Sequence, residues 1–164
     1  MRRGIIIGTA LALAGAGAGA LAASFALRLK GPPKTVTQFG YIRSLTPSAK
    51  SYVLKLDPAL WLEGTTAKLA AKEDGQEAFD YYIRNPEREL LTYRVHAGTP
   101  VTVVMVPGGG VRSTAVTVAE LAQIAKGKNP RHRPLIERGS ARHLGYWVRT
   151  HTDIVQSIDQ QYQP

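Results

Sequence analysis

The side chains of this sequence that could do chemistry are a group of carboxylates, four histidines and one run of cations. Between Asp57 and Asp80 stand six acids, Asp57, Glu63, Glu73, Asp74, Glu77 and Asp80, against only Lys68 and Lys72. Glycoside hydrolysis needs two carboxyls, one to protonate the leaving oxygen and one to act as nucleophile or base. Glu63, Glu73 and Asp74 are the candidates for that work in a cell-envelope hydrolase. A solvated helix face carries as many acids, so a noncatalytic reading is favoured and no catalytic residue is assigned. Calcium lacks support, because no further loop ligands follow Asp74-Gly75. The histidines His96, His132, His143 and His151 show neither HxxxH nor HExxH spacing, so neither a metal nor another cofactor is expected. There is no GxSxG. Thr65-Thr66-Ala67-Lys68 resembles SxxK only loosely, and a helix cap explains its threonines. Gly108-Gly109-Gly110 lacks a following GK[ST] and reads as a hairpin tip.

The cations are the feature that rises above background. Lys126, Lys128, Arg131, Arg133, Arg138 and Arg142 fall within one stretch whose only acid is Glu137, with Tyr146 and Trp147 close behind. These six cations with Trp147 are the candidate polyanion-binding residues, for anionic wall polymers such as teichoic acids or for lipid headgroups. The plain alternative is a solvated basic loop seated on an anionic membrane surface. Nucleic acid is disfavoured as a partner for a domain outside the cell. The whole chain carries 21 Lys and Arg against 12 Asp and Glu, a formal net charge of +9. Arg2, Arg3, Arg28 and Lys30 account for four of the bases, so a basic excess stays with the rest of the chain. With bases crowded after Lys126 and acids before Asp80, the domain is expected to have a basic and an acidic side.

Residues Gly4–Leu27 contain no ionisable side chain and follow Met1-Arg2-Arg3. A helix rising ~1.5 Å per residue crosses a ~30 Å hydrocarbon core in about 20 residues, so this run is long enough to span. Its middle, Gly15 to Ala20, alternates Gly and Ala and is weakly apolar. Ala18-Gly19-Ala20 and Ala20-Leu21-Ala22 have the small-x-small form that signal peptidase accepts. A retained anchor is favoured over a cleaved signal, because Ser24 to Leu27 resumes apolar character before Arg28. Arg2 and Arg3 favour a cytoplasmic N-terminus, although Arg28, Lys30 and Lys34 make the far flank basic too. No full twin-arginine pattern follows Arg3. Gly15, Gly19 and Ala23 have the small-xxx-small spacing that packs one helix on another, which would suit a structural subunit with protein partners. The division expected is residues 1–30 as anchor or signal, 31–39 as a Pro-containing linker, and 40–164 as one extracytoplasmic domain. With no cysteine, the domain must be held by its core, and 134 residues beyond Lys30 suffice for one.

That domain reads as β-rich. Strands are expected over Val36–Leu45 and Ser51–Leu56, with Tyr52, Leu54 and Leu56 on one face and Val53 and Lys55 on the other. Asp57-Pro58 should interrupt the ladder. A helix capped by Thr65 or Thr66 should run toward Phe79 and stop near Asp74-Gly75. Asp80–Arg84 and Leu90–Val95 should pair as a hairpin across Asn85-Pro86-Glu87-Arg88. Pro100–Val106 suits a buried strand, turning at residues 107–110 into Ser113–Val116. Thr117-Val118-Ala119-Glu120 matches a capping box, opening a helix that presents Val118, Leu121, Ala122 and Ala125 and ends at Gly127. An irregular basic loop follows over 129–142. Leu144–Arg149 is then a strand, and Ile154–Tyr162 fits either period, strand being preferred. The fold class predicted is mainly β (α+β): a small, antiparallel, OB-like, partly closed barrel with two short helices.

Two stretches carry a resemblance: Asp57-Pro58-Ala59-Leu60-Trp61-Leu62-Glu63-Gly64-Thr65-Thr66-Ala67, and Asp80-Tyr81-Tyr82-Ile83-Arg84 leading into Leu90-Leu91-Thr92-Tyr93-Arg94-Val95. They resemble a family of uncharacterised exported actinobacterial proteins, in which an ending similar to Asp159-Gln160-Gln161-Tyr162 occurs. The resemblance implies an envelope-associated, extracytoplasmic protein and brings no activity. The function expected is a membrane-tethered, noncatalytic binding or interaction domain. A carboxylate hydrolase and a structural subunit of a membrane complex stand as alternatives.

Overall fold

The computed structural model describes residues 35–78, 80–86, 89–136 and 144–163. The expected anchor and most of the expected linker lie outside these residues, and among the described residues no helix is long and apolar enough to cross a membrane. Among the described residues eight strands and two α-helices follow one another: β1 (Thr35–Ser48), β2 (Ser51–Glu63), α1 (Gly64–Glu73), β3 (Tyr81–Arg84), β4 (Leu91–His96), β5 (Val101–Met105), β6 (Arg112–Val116), α2 (Val118–Ile124), β7 (Tyr146–His151) and β8 (Ile154–Gln160). β1 takes in residues 35–39, where the expected linker and the expected first strand overlap.

Five of the strands close a barrel. β1 pairs with β2, β2 with β4, β4 with β8, β8 with β7, and β7 returns to β1. This is the Greek-key order of an OB barrel, with α2 between the third and fourth barrel strands. The expected OB-like antiparallel barrel is present, with one parallel seam. With an odd number of strands, one neighbouring pair must run the same way, and β4 and β8 are parallel over just Arg94↔Ile154 and Val95↔Val155. Beyond that short seam β8 pairs, again parallel, with β5, which carries β6 as a hairpin partner.

The interior follows from strand alternation. Leu54 and Leu56 of β2, Val95 of β4, Val148 of β7 and Val155 and Ile158 of β8 are fully buried, joined by Leu45 and Tyr146. Val118, Leu121, Ala122 and Ile124 of α2 belong to the same core. Burial pushes the Tyr146 phenol well above its ordinary value. Thr117 Oγ1 accepts from Glu120 N at 3.1 Å, as a capping residue should. Gly127 takes φ +75° after the helix.

Three expectations fail, each for a physical reason. Pro58 does not interrupt the ladder with β1: β2 continues to Glu63, and Pro58 pairs with Gly40. On its other side β2 is partnered by β4 up to Leu56 and by β3 only from Leu60, so the proline sits where one flank has no ladder to lose. β3 and β4 do not form a hairpin, because the long β2 takes both of them end to end. Finally, α1 starts one residue before the threonines, with Glu63 at the N-cap and no side-chain cap.

Candidate ligand-binding face

The outward residues of β2 are Ser51, Val53 and Lys55, and those of β4 are Thr92, Arg94 and His96. Register places Ser51 opposite His96, Val53 opposite Arg94 and Lys55 opposite Thr92. The adjoining stretch of β1 adds Thr46 opposite Val53 and Ser48 opposite Ser51. Two tight turns rise at one end of this face. The β1–β2 turn is held by Ser51 Oγ donating to Ser48 O at 3.2 Å. The β7–β8 turn is tied to β4 by Arg94 N donating to Asp153 O at 2.9 Å, with Thr152 in the left-handed region at φ +55°. Between them lies an open depression of about 280 Å³ lined by Ser48, Ser51, Val53, Thr92, Tyr93, Arg94 and Asp153. Lys55, Thr92, Arg94 and His96 are exposed. Among the described residues, neither the Lys55 ammonium nor the Arg94 guanidinium has a hydrogen-bond or ion-pair partner. The face therefore combines free positive charge, hydroxyls and one carboxylate around a small apolar patch at Val53.

The basic segment singled out from the sequence is arranged differently. Arg133 binds Glu120, the Nη2 contact measuring 3.3 Å, and Arg131 Nε lies 3.4 Å from the same carboxylate. Glu120 is only 5% exposed, so its charge is neutralised by bases from the loop that follows α2. The bond to Glu120 raises the Arg133 guanidinium's proton affinity. Its carboxylate is thus turned to the loop, while Thr117 supplies the capping bond. Asn129 further fixes the loop through Nδ2 to Arg133 O at 2.7 Å and Arg133 N to Oδ1 at 2.9 Å. Lys126 and Lys128 are exposed. Arg138 and Arg142 lie outside the described residues.

Trp147, the remaining candidate, stands on β7 in an aromatic cluster. Its Nε1 donates to Gln161 Oε1 at 2.9 Å, and its ring meets Phe39 edge to face at 5.2 Å. Phe39 is 2% exposed and also contacts Tyr41 and Trp61. Trp61 stacks on Tyr81 with centroids 4.4 Å apart and donates Nε1 to Glu63 Oε1 at 2.7 Å. These rings form a second apolar layer on the outside of the barrel, joining the extension of β2 and β3 to β1 and β7. Gly145 makes room for it: a Cβ there would collide with the Phe39 ring.

The carboxylates considered for hydrolysis are engaged by neighbouring side chains. Glu63 accepts from Trp61. Arg84 of β3 donates to Asp74 through Nε at 2.8 Å and to Glu73 through Nη2 at 3.0 Å, and Tyr82 donates to Asp74 at 3.0 Å. These bonds, that from Arg84 foremost, hold the Asp74 carboxyl below its ordinary value. Asp57 is buried beneath the Arg43 guanidinium, whose Nε donates to Oδ2 at 2.9 Å. Among the described residues no group of three or more His, Asp or Glu could hold a metal ion.

Sequence reasoning separated Val53 and Lys55 from the buried face of β2 but did not join them to Arg94. That step needs the β2–β4 register across an intervening helix and strand. The chain matches no known protein family, no characterised protein and no solved structure.

Proposed function

We propose that this chain is a noncatalytic binding domain, held at the outer face of the cytoplasmic membrane by residues 4–27, that engages an anionic component of the cell envelope. The observation that carries the reading is the depression on the β2–β4 face, flanked by two tight turns, lined by the unpaired Arg94 and lying beside the unpaired Lys55 on the same face. OB barrels as a class bind extended ligands on this face and with these two loops, which is an analogy of fold rather than of family. The engagement of Glu63, Glu73 and Asp74 in hydrogen bonds to Trp61 and Arg84 favours binding over hydrolysis. A retained anchor brings the domain close to envelope polyanions. Intact mass and fractionation test that part: a chain that keeps residues 4–27 and sediments with membranes supports it. A shortened, soluble chain contradicts it.

A further inference from the structure

We infer that the depression between the β1–β2 and β7–β8 turns seats a hydroxyl-bearing phosphodiester polymer, whose anionic groups pair with Arg94 in the depression and with Lys55 beside it on the same face, while Asp153 accepts a hydroxyl. This rests on reading the chain as an anion-binding domain. Arg94 and Lys55 are diagonal neighbours on adjacent strands, since Lys55 faces Thr92 and Arg94 lies two residues on. Side chains so placed have roots about 7–8 Å apart, so they present two positive positions along the face rather than one. Both are exposed, and a lone small anion there competes with water and gains little. A ligand carrying repeated charges gains from both.

The rest of the lining narrows the chemistry. Ser48 and Thr92 can donate to or accept from a polyol, and Ser51, whose proton goes to Ser48 O, can accept. A carboxylate at Asp153 repels a bare polyanion but accepts from a hydroxyl, so the lining suits a repeat that alternates charge with hydroxyls. The depression is open and lies between two turns, so it can take a polymer segment laid along the strands. The basic segment after α2 is less suited, because Arg131 and Arg133 already converge on Glu120.

The test uses the full chain reconstituted in detergent-free neutral phosphatidylcholine nanodiscs and titrates poly(glycerol phosphate), inorganic polyphosphate, neutral dextran and anionic phospholipid vesicles. Arg94→Ala with Lys55→Ala should weaken poly(glycerol phosphate) binding about tenfold or more. The log–log salt slope should fall by roughly 1.5, at ~0.7 per lost contact to a single-stranded polyanion. The same charge loss on α1, Lys68→Ala with Lys72→Ala, should change affinity less than about twofold, and dextran should not bind. Asp153→Asn should weaken the polyol phosphate more than polyphosphate, which has no hydroxyls along its chain. Unchanged binding by the Arg94/Lys55 variant, or loss only with Lys128→Ala and Arg131→Ala, overturns the groove assignment and leaves an anion-binding domain standing. Preference for vesicles over the soluble polymer overturns the ligand. A wild-type chain that binds none of the anionic probes overturns both readings.

Discussion

Arg133 reaches back thirteen residues to the buried carboxylate of Glu120 in the first turn of α2. This bond draws part of the most basic stretch of the chain inward. It converts what reads in the sequence as a charged loop into a clamp between the helix and the segment after it. The unpaired charge assigned to the proposed ligand lies elsewhere, on the β2–β4 face.

Removing the carboxylate should expose that role. Glu120→Ala leaves the Arg133 guanidinium, 19% exposed, without its partner. The loss should destabilise the domain by about 1–3 kcal/mol, less than for a fully buried pair because Arg131 is open to water. Lys128→Ala, on an exposed side chain, should stay within about 0.5 kcal/mol. Urea unfolding of the two variants checks the contrast.

The aromatic layer makes a second demand. Gly145→Ala puts a methyl group into the Phe39 ring and must push it from its contacts with Trp61 and Trp147. The cost should be about 1–3 kcal/mol, with loss of the near-ultraviolet circular dichroism of the two indoles. Phe39→Leu in the same chain should recover part of the stability, because the smaller side chain vacates the clash. A Gly145→Ala protein of unchanged stability and spectrum would contradict this packing.

Acid should loosen the tie between α1 and β3. The folded Asp74 carboxyl titrates below its ordinary value of 3.8, chiefly through its bond from Arg84. A depressed carboxyl stabilises the fold fully above the unfolded value and loses that contribution as pH falls through the folded one. Stability should therefore decline below about pH 4 in the wild type. Asp74→Asn should show a shallower decline over that range. Thermal unfolding between pH 2 and 6 checks it.

What the sequence reveals here is local, and what it hides is pairing. The alternation of Tyr52, Leu54 and Leu56 against Val53 and Lys55 is visible from spacing alone, and it places the outer face of β2 correctly. Thr117 is legible as a cap because its partner is three residues away. Pro58 misleads, because its tolerance depends on a gap between two partner strands that only the assembled sheet reveals. Asp80–Arg84 and Leu90–Val95 have hairpin spacing, yet a longer β2 offers each of them a separate place. The candidate site has the same origin: Arg94 looks like any strand cation until register sets it opposite Val53. Glu120 fits a capping box in sequence, and nothing local reveals that Arg133 takes its carboxylate.

Hydrogen–deuterium exchange on the full chain, with and without poly(glycerol phosphate), tests the central claim most directly. The account predicts slowed exchange in residues 48–55, 92–96 and 151–154, which form the face and its two turns, with little change in 126–136. Protection confined to 126–136, or none anywhere at saturating polymer, would contradict it.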